Sequence, residues 1–219
     1  MSLWFDCLES PGRDRALTRA TAALHDGDLV VVPTESSYGL ACDAFSPEAV
    51  ENLVFTRGSA AGVAPPVLIG HPRTLDGIAR EVPDEARKLA GAFWPGGLTL
   101  ILKAQPTLYW DLGGNRDLVS VRVPLHPVLL ALLDRTGPLA VTAGNVVGHP
   151  VPLTCQAARD QLGEAAAVYL DAGEALRSSG STIVDATGDR IRVVRQGSVT
   201  AEQLRAVIGD ALEEHSAGE

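Results

Sequence analysis

Short apolar runs separated by polar, glycine-rich stretches recur along the chain and predict the strands of a sheet. Residues 29–32 (LVVV) are the clearest case, because four apolar and mostly β-branched residues in a row are typical of a buried strand. The polar stretch PTESSYGL follows at 33–40 and indicates that the strand ends there. The same pattern predicts further strands at residues 67–70, 98–104, 118–124, 138–145, 168–170, 181–185 and 191–194.

Helices are predicted between these strands, where apolar residues recur every three or four positions. Residues 13–25 carry such a one-sided pattern, and Gly27 is a suitable left-handed stop. Ser46 and Pro47 open a second helix as its N-cap and first residue. Further helices are predicted at 82–94, 126–137 and 154–162, and a last one is opened by Thr200 and Gln203, which have capping-box spacing. Since several connections are too short for a crossover helix, we expect an α/β fold with a mixed sheet.

The chain is expected to form one domain. Its 219 residues, 46% of them hydrophobic, are enough for a substantial core. We place that core at about residues 13–208 of a single domain spanning 1–219, with a disordered tail at 209–219. The small-residue stretch TRGSAAGVAPP at 56–66 predicts a flexible loop that could close over a ligand.

Charge and cysteine content narrow the class of protein. The net charge of −9 argues against broad binding to phosphate backbones or anionic membranes, because such binding needs a basic face. The three cysteines are scattered and fit neither a disulfide framework nor a metal knuckle, which favours a reducing compartment. No apolar segment approaches the roughly 20 residues of a bilayer-crossing helix. We therefore expect a cytoplasmic protein with no membrane partner.

Four polar clusters lie at the ends of predicted strands and are the candidates for a ligand site. They are PTESSYGL at 33–40, TAGNVVGHP at 142–150, GSTIVD at 180–185 and RIRVVRQGS at 190–198. Ligands of open α/β sheets bind beyond strand ends, so these clusters together would form a pocket of hydroxyl, amide and guanidinium groups suited to a small anion. The alternative is that these Ser, Thr, Asn and Gly residues simply form turns.

Two arginines in predicted strands are candidate anion ligands. Arg122 lies among apolar neighbours in VSVRVP, where it either points to solvent from an edge strand or grips a carboxylate or phosphate. The same two interpretations apply to Arg195. The sequence contains no P-loop, dinucleotide-binding or zincin motif, so a nucleotide must be held in another way. The histidines show no metal-ligand spacing, and Cys42 lies in an apolar context typical of a core residue.

Five motifs in this order resemble the YrdC/Sua5 family over about residues 13–208. The family's P-T-x-T-x-Y-G-L corresponds to PTESSYGL at 33–40, its F-W-P-G-P-L-T to FWPGGLT at 93–99, and its V-R-V-P to VRVP at 121–124. Its S-T-V-V-D and R-x-G correspond to STIVD at 181–185 and RQG at 195–197. The resemblance implies a YrdC-like fold: an open twisted mixed sheet flanked by helices, with a central concave ligand cavity. It also implies the short type, without the extra C-terminal domain of Sua5.

The resemblance also implies an activity. Members of the family make threonylcarbamoyl-AMP from L-threonine, bicarbonate and ATP, releasing pyrophosphate, for the N6-threonylcarbamoyladenosine modification of tRNA. We therefore expect a nucleotidyltransferase, a monomer or homodimer, that uses ATP and Mg²⁺ and has tRNA-modification proteins as partners. The implied residues are Thr34, Ser36, Tyr38 and Arg122 for the substrate, Arg57, Thr142, Asn145, Ser181 and Arg195 for the nucleotide, and Arg57 and Arg122 for catalysis.

Two signature positions depart from the family. Where the family has K-x-R, the chain has RGS, so Arg57 stands for the lysine and Ser59 replaces the arginine. Where the family has S-x-N, the chain has AGN, so Ala143 replaces the serine and Thr142 is the neighbouring hydroxyl. Losing a buried guanidinium that contacts phosphate would cost about a hundredfold or more in rate. The candidates to replace it from elsewhere in the chain are Arg116 and Arg192.

These departures leave two alternatives to the synthase open. The first is a divergent YrdC-like protein that binds nucleotide or double-stranded RNA without this activity. The charge of −9 disfavours RNA unless the concave face is locally positive. The second is the formation of a carbamoyl-adenylate, as in the YrdC-like domains of larger carbamoyltransferases.

Overall fold

In a computed structural model, the protein is described at residues 1–60, 62–176 and 179–213. Its strands are β1 (Leu3–Asp6), β2 (Val30–Pro33), β3 (Tyr38–Asp43), β4 (Val67–Leu68), β5 (Ala79–Arg80), β6 (Leu98–Ala104), β7 (Leu118–Arg122), β8 (Leu139–Ala143), β9 (Val168–Asp171), β10 (Thr182–Asp185) and β11 (Arg192–Arg195). Its helices are α1 (Ser10–His25), α2 (Pro47–Arg57), α3 (Leu75–Ile78), α4 (Asp84–Phe93), α5 (Pro127–Thr136), α6 (Cys155–Leu162) and α7 (Ala201–Ile208). Short 3₁₀ turns lie at Pro72–Thr74, Gly163–Ala165 and Gly209–Ala211.

The strands form one mixed sheet in the order β1-β9-β2-β3-β8-β4-β7-β6-β10-β11, with β5 paired to β6. Strand β9 runs parallel to both of its neighbours, β1 and β2. The pairs β4–β7 and β6–β10 are also parallel, whereas β2–β3, β3–β8 and β6–β7 are antiparallel. The prediction of a mixed α/β sheet flanked by helices is confirmed.

The apolar run around β2 is buried on both faces of the sheet. Val30 and Val32 belong to the core that α1 and α5 cover, whereas Leu29 and Val31 belong to the opposite core, under α2, α4 and α7. None of these four side chains is more than 1% exposed. Each such burial contributes about 1.5–3 kcal/mol of favourable transfer free energy, which explains why a continuous apolar run forms this strand.

Several predicted helix boundaries are confirmed. The Ser46 hydroxyl accepts a hydrogen bond of 3.3 Å from the backbone N–H of Ala49 at the start of α2. Thr200 and Gln203 form a complete capping box at the start of α7. Gly27, with φ of +86°, follows α1 in the left-handed region. Within the described part of the chain, no helix has the length and hydropathy of a membrane-spanning helix.

The sequence pattern did not predict β1, β3 or β5. Strand β3 matters most, because the polar stretch at 33–40 does not end the sheet but turns the chain back into it. β3 pairs with β2 on one side and with β8 on the other, where Gly39 lies opposite Ala143 and Leu40 opposite Thr142. The stretch is therefore the turn of a β-hairpin and the start of its second strand.

The predicted disordered tail is wrong for residues 209–213. Leu212 is 2% exposed and forms a bridge with Ile191, and the backbone N–H of Glu213 donates to the Ile191 carbonyl at 2.7 Å. An apolar side chain at 212 thus extends the core beyond α7. Residues 214–219 lie outside the described residues.

Candidate functional site

The hydroxyl of Thr34 builds the tip of the β2–β3 hairpin. Thr34 Oγ1 donates to the Ser37 carbonyl at 2.7 Å and accepts from the backbone N–H groups of Ser36 and Ser37 at 3.3 and 3.2 Å. Such local bonds are typical of threonine in a tight turn. The hydroxyl-rich stretch thus has a structural role, and substrate binding by Thr34 and Ser36 stays a prediction.

Tyr38 is predicted to line the substrate site with its ring and to offer its phenol hydroxyl there. Its side chain is 0% exposed, and its hydroxyl donates to the Gly173 carbonyl at 2.6 Å and accepts from the Ala172 N–H at 3.0 Å. Burial raises the pKa of this phenol far above its ordinary value. Tyr38 lines a cavity of about 240 Å³ beside Thr34, Glu35 and His126, but its hydroxyl is already used to fix the loop after β9.

Arg122, the last residue of β7, is buried, so its interpretation as a solvent-facing edge residue is wrong. Its Nε donates to the Gly96 carbonyl at 2.8 Å, and its Nη2 forms an ion pair with the carboxylate of Glu35. Only 11% of its side chain is exposed. Burial and the nearby charge of Arg195 lower the pKa of Arg122 to about 10, while the Glu35 carboxylate favours the charged form. The guanidinium stays charged at neutral pH.

Glu35 was missed by the sequence analysis. Besides pairing with Arg122, its carboxylate accepts from the backbone N–H of Leu125 at 3.3 Å, so it ties the hairpin to the segment after β7. The available signal was a single acidic residue inside an otherwise hydroxyl-rich strand-end stretch, PTESSYGL. Such a residue either faces water or pairs with a buried cation, and the cation with which Glu35 pairs, Arg122, is 87 positions away in sequence.

Ser181 and Arg195, both predicted as nucleotide ligands, lie against each other where β10 starts and β11 ends. Arg195 Nη2 donates to the Ser181 carbonyl at 2.8 Å, and Ser181 Oγ accepts from the Thr99 hydroxyl at 2.8 Å. Gly197 lies so close to this strand that a Cβ there would approach the Thr182 nitrogen to 2.5 Å. The glycine of the RQG motif is therefore required by backbone packing.

Asn145 lies in the loop after β8 and is 6% exposed. Its Nδ2 donates to the carbonyls of Val146 and His149 at 3.1 and 2.9 Å. Its Oδ1 is enclosed and has no hydrogen-bond partner among the described residues. Because buried polar atoms are nearly always hydrogen-bonded, this oxygen is a candidate acceptor for a ligand donor.

The residues at and around the positions that depart from the family motifs can be located in the structure. Thr142 and Ala143 are successive residues of β8, so their side chains point to opposite faces of the sheet. The Thr142 hydroxyl therefore does not occupy the place of a serine at 143, and its nucleotide role stays a prediction. Arg116 and Arg192, the candidates to replace the arginine missing at 59, lie in exposed ion pairs with Asp111 and Asp185.

Backbone hydrogen bonds tie the predicted site segments to one another. The Gly144 N–H donates to the Tyr38 carbonyl at 2.9 Å, and the Val147 N–H donates to the Arg57 carbonyl at 2.8 Å. Arg122 links the hairpin tip to the Gly96 turn. The 240 Å³ cavity reaches only the hairpin side, and Asn145, Ser181 and Arg195 do not line it. A single concave cavity containing every predicted residue therefore stays a prediction.

The fold and these segments define a mixed α/β protein that carries arginine, amide and hydroxyl groups on its strand ends and strand-end loops. The family model Sua5_yciO_yrdC, described as "Telomere recombination", matches residues 22–197. The chain belongs to this family.

Individual relatives give the same result. A protein of Mycobacterium tuberculosis, provisionally named a threonylcarbamoyl-AMP synthase, is 44% identical over 95% of this chain and 96% of its own length. The threonylcarbamoyl-AMP synthase of Pyrococcus abyssi is 33% identical over 87% of this chain and 56% of its own length. The crystal structure of P. abyssi Sua5 complexed with L-threonine matches with a TM-score of 0.87 at 29% identity, covering 95% of this chain and 61% of that one. The chain thus spans a little more than half of the P. abyssi protein.

Proposed function

We propose that the chain is an L-threonylcarbamoyladenylate synthase, which converts ATP, L-threonine and bicarbonate into threonylcarbamoyl-AMP and pyrophosphate. The observation that carries the proposal is the buried Arg122, which joins the hairpin of the PTESSYGL motif to the Gly96 turn and lies near Arg195. The M. tuberculosis relative matches over nearly its whole length, and the P. abyssi homologue was crystallised with L-threonine; both support this assignment.

The reaction proceeds in two steps that balance without a protein nucleophile. The threonine amine attacks the carbon of bicarbonate, and water leaves to give the carbamate. A carbamate oxygen then attacks the α-phosphorus of ATP, the bond to the bridging oxygen breaks, and pyrophosphate leaves. Such a reaction needs alignment of the reactants and positive charge near the phosphates, which arginine and amide groups supply.

The predicted residues divide between the two substrates. Arg122 would bind the threonine carboxylate or a phosphate, because a guanidinium fork matches either oxyanion. Arg57 would hold a phosphate oxygen, and Asn145 would accept a hydrogen bond through its unpartnered Oδ1. Ser181 and Arg195 would contact the nucleotide from the β10–β11 side. Thr34, Ser36 and Tyr38 would shape the threonine site, and Thr142 would lie near the nucleotide.

Mg²⁺ would enter with the nucleotide. The described residues contain no group of three or more His, Cys, Asp or Glu side chains that could hold a metal ion. Mg²⁺ usually binds to substrate phosphates and water, with one or two protein carboxylates. The residues present therefore fit an ion carried by ATP better than a metal held by the protein alone. The product, an activated carbamoyl group on AMP, would be consumed by tRNA-modification proteins.

The proposal is tested by pyrophosphate release from ATP and Mg²⁺ by the purified protein. We expect release that requires both L-threonine and bicarbonate, with threonylcarbamoyl-AMP identified by its mass. Release without threonine but with carbamoyl phosphate would favour the carbamoyl-adenylate alternative. ATP or double-stranded RNA binding without any release would favour the binding alternative. Either result would contradict the proposed synthase.

A further inference from the structure

Ser59, the residue that replaces the family arginine, contacts the neighbouring cation of the same motif. Arg57 Nη1 donates a hydrogen bond of 3.1 Å to Ser59 Oγ. Both residues are half-buried. Position 59, which carries an arginine in the family motif, therefore supplies here a hydroxyl acceptor for the guanidinium of Arg57.

The end of helix α2 fixes the position of Ser59. Gly58 adopts φ of +73°, and its N–H donates to the Phe55 carbonyl at 2.9 Å. The Ser59 N–H donates to the Val54 carbonyl at 3.0 Å. These two bonds form a Schellman motif, which a left-handed glycine closes at a helix C-terminus. The backbone of Ser59 is thus held at a set distance from Arg57, the last residue of the helix.

The opposite edge of the Arg57 guanidinium carries a donor that is unsatisfied within the described part of the chain. Its Nε is enclosed and has no hydrogen-bond partner among the described residues. In a guanidinium, Nε and Nη2 form one edge that can donate two parallel bonds to an oxyanion. The bond from Nη1 to Ser59 uses the other side of the guanidinium and leaves Nε without a partner in that part of the chain.

A second unpartnered atom lies on a segment tied to Arg57. The Arg57 carbonyl accepts from the Val147 N–H, two residues after Asn145, whose buried Oδ1 has no partner among the described residues. Two buried polar atoms without partners on connected segments indicate a place where a ligand completes the hydrogen bonding. An oxyanion would satisfy Arg57 Nε, and a hydroxyl or ammonium group would satisfy Asn145 Oδ1.

We infer that Ser59 is a positioning residue, which holds Nη1 of Arg57 so that its Nε–Nη2 edge faces a phosphate oxygen of the nucleotide. One oriented guanidinium thereby replaces the two cations of the family motif. This inference rests on the proposed function, since it names how that site binds ATP. An arginine at position 59 would replace the hydroxyl that accepts from Nη1 with a group that only donates, so Arg57 would lose the contact that orients it.

The inference is tested with four variants of the full chain: Ser59→Ala, Ser59→Thr, Ser59→Arg and Thr56→Ala. Thr56 is the matched control, because its hydroxyl donates to the Asn52 side chain on the same helix, whereas the Arg57 guanidinium donates to Ser59. We measure the KM for ATP and for threonine by pyrophosphate release, and the Kd of ATP by calorimetry. Far-UV circular dichroism and thermal midpoints verify folding.

Ser59→Ala is expected to raise the KM and Kd for ATP about tenfold while leaving the threonine KM unchanged. Ser59→Thr should restore values within about threefold of the natural chain, Thr56→Ala should change neither, and Ser59→Arg should weaken ATP binding. The inference is overturned if Ser59→Ala binds ATP like the natural chain, or if Ser59→Arg binds it more tightly. A natural chain that neither binds ATP nor releases pyrophosphate would instead refute the proposed function.

Discussion

The guanidinium of Arg122 makes two contacts, one through Nε and one through Nη2. Nε reaches the carbonyl of Gly96, and Nη2 reaches the carboxylate of Glu35 on the hairpin. A lysine carries the same charge on a single nitrogen and lacks the planar fork whose separate Nε and Nη2 reach these two acceptors. The position therefore depends on the shape of arginine as well as on its charge.

We predict that Arg122→Lys lowers kcat/KM for pyrophosphate release by about a hundredfold, because the planar fork that aligns an oxyanion is lost. Steady-state kinetics with threonine varied at saturating ATP would measure this. Arg192→Lys is the control, since Arg192 also lies in a strand but its ion pair with Asp185 is exposed, and it should stay within about twofold. Equal effects of the two variants would contradict a special role for Arg122.

The residue pattern alone singled out Arg122 and Arg195 as candidate anion ligands, because charged residues in apolar strands are uncommon. The family resemblance added Ser181, and the binding roles of all three stay predictions. It could not identify Glu35 as the partner of Arg122, since the two residues come from distant segments that only the folded sheet joins. Nor could it show that the Tyr38 hydroxyl is already bonded to Gly173. Those facts depend on which loops meet, and periodicity carries no information on that.

At the scale of elements, the helices were easier to predict than the strands. Ser46 and Thr200 cap their helices through local bonds that the spacing of residues reveals. Strand β3 was missed because its sequence, YGLACD, has few β-branched residues and its pairing with β8 is a tertiary contact. Strands β1 and β5 are four and two residues long, too short for a clear alternation.

The junction of β10 and β11 gives a prediction at this scale. Gly197→Ala would place a Cβ against backbone atoms of Gly180, Ser181 and Thr182, which cannot move aside as a flexible side chain can. We expect a loss of about 1–3 kcal/mol or more in the free energy of unfolding. Urea unfolding would measure it.

Gly188→Ala is the matched control for that variant. A Cβ on Gly188 meets no atom within 4 Å, and its φ is not in the left-handed region. Its stability should be unchanged or slightly higher, because alanine restricts the unfolded chain. If both variants unfolded at the same urea concentration as the natural chain, close packing at Gly197 would not be a constraint.

At the scale of the whole molecule, the buried His126 makes the stability of the fold depend on pH. Burial, and then the charge of Arg13, lower the pKa of His126 below its ordinary value. The unfolded chain therefore binds this proton more readily than the folded one. Above about pH 6.5 the imidazole is neutral in both the folded and the unfolded chain, and the fold has its full stability. As the pH falls toward the lower pKa of the folded state, protonation of the unfolded chain reduces that stability.

We accordingly predict that the natural chain loses more stability between pH 7.5 and pH 5.5 than His126→Gln does. Urea midpoints at the two pH values would show it, with the variant giving the smaller difference. Carboxylates contribute equally to both proteins and cancel in the comparison. If the urea midpoints of both proteins fell equally between the two pH values, protonation of His126 would not oppose folding.

The same burial should make the thiols inert. Cys7, Cys42 and Cys155 are at most 1% exposed, and burial raises the pKa of Cys7 to about 11 and that of Cys42 to about 12. We predict that a thiol-specific reagent at pH 8 reacts with the native protein at least about a hundredfold more slowly than with the urea-unfolded chain. A Tyr109→Cys variant supplies the exposed control, because Tyr109 is 99% exposed. Fast labelling of the folded natural chain, which lacks the introduced cysteine, would contradict the prediction.

The carboxylate of Glu35 already forms an ion pair with Nη2 of Arg122. An acid that bound to Nη2 would therefore have to displace that carboxylate. Such binding is an exchange of one carboxylate for another, and its free energy is the difference between two similar contacts. If that difference is small, a guanidinium that bound the proposed threonine substrate here would contribute more to selecting an acid of the right shape than to holding it tightly. Affinity for threonine would then come from the groups around its side chain and amine.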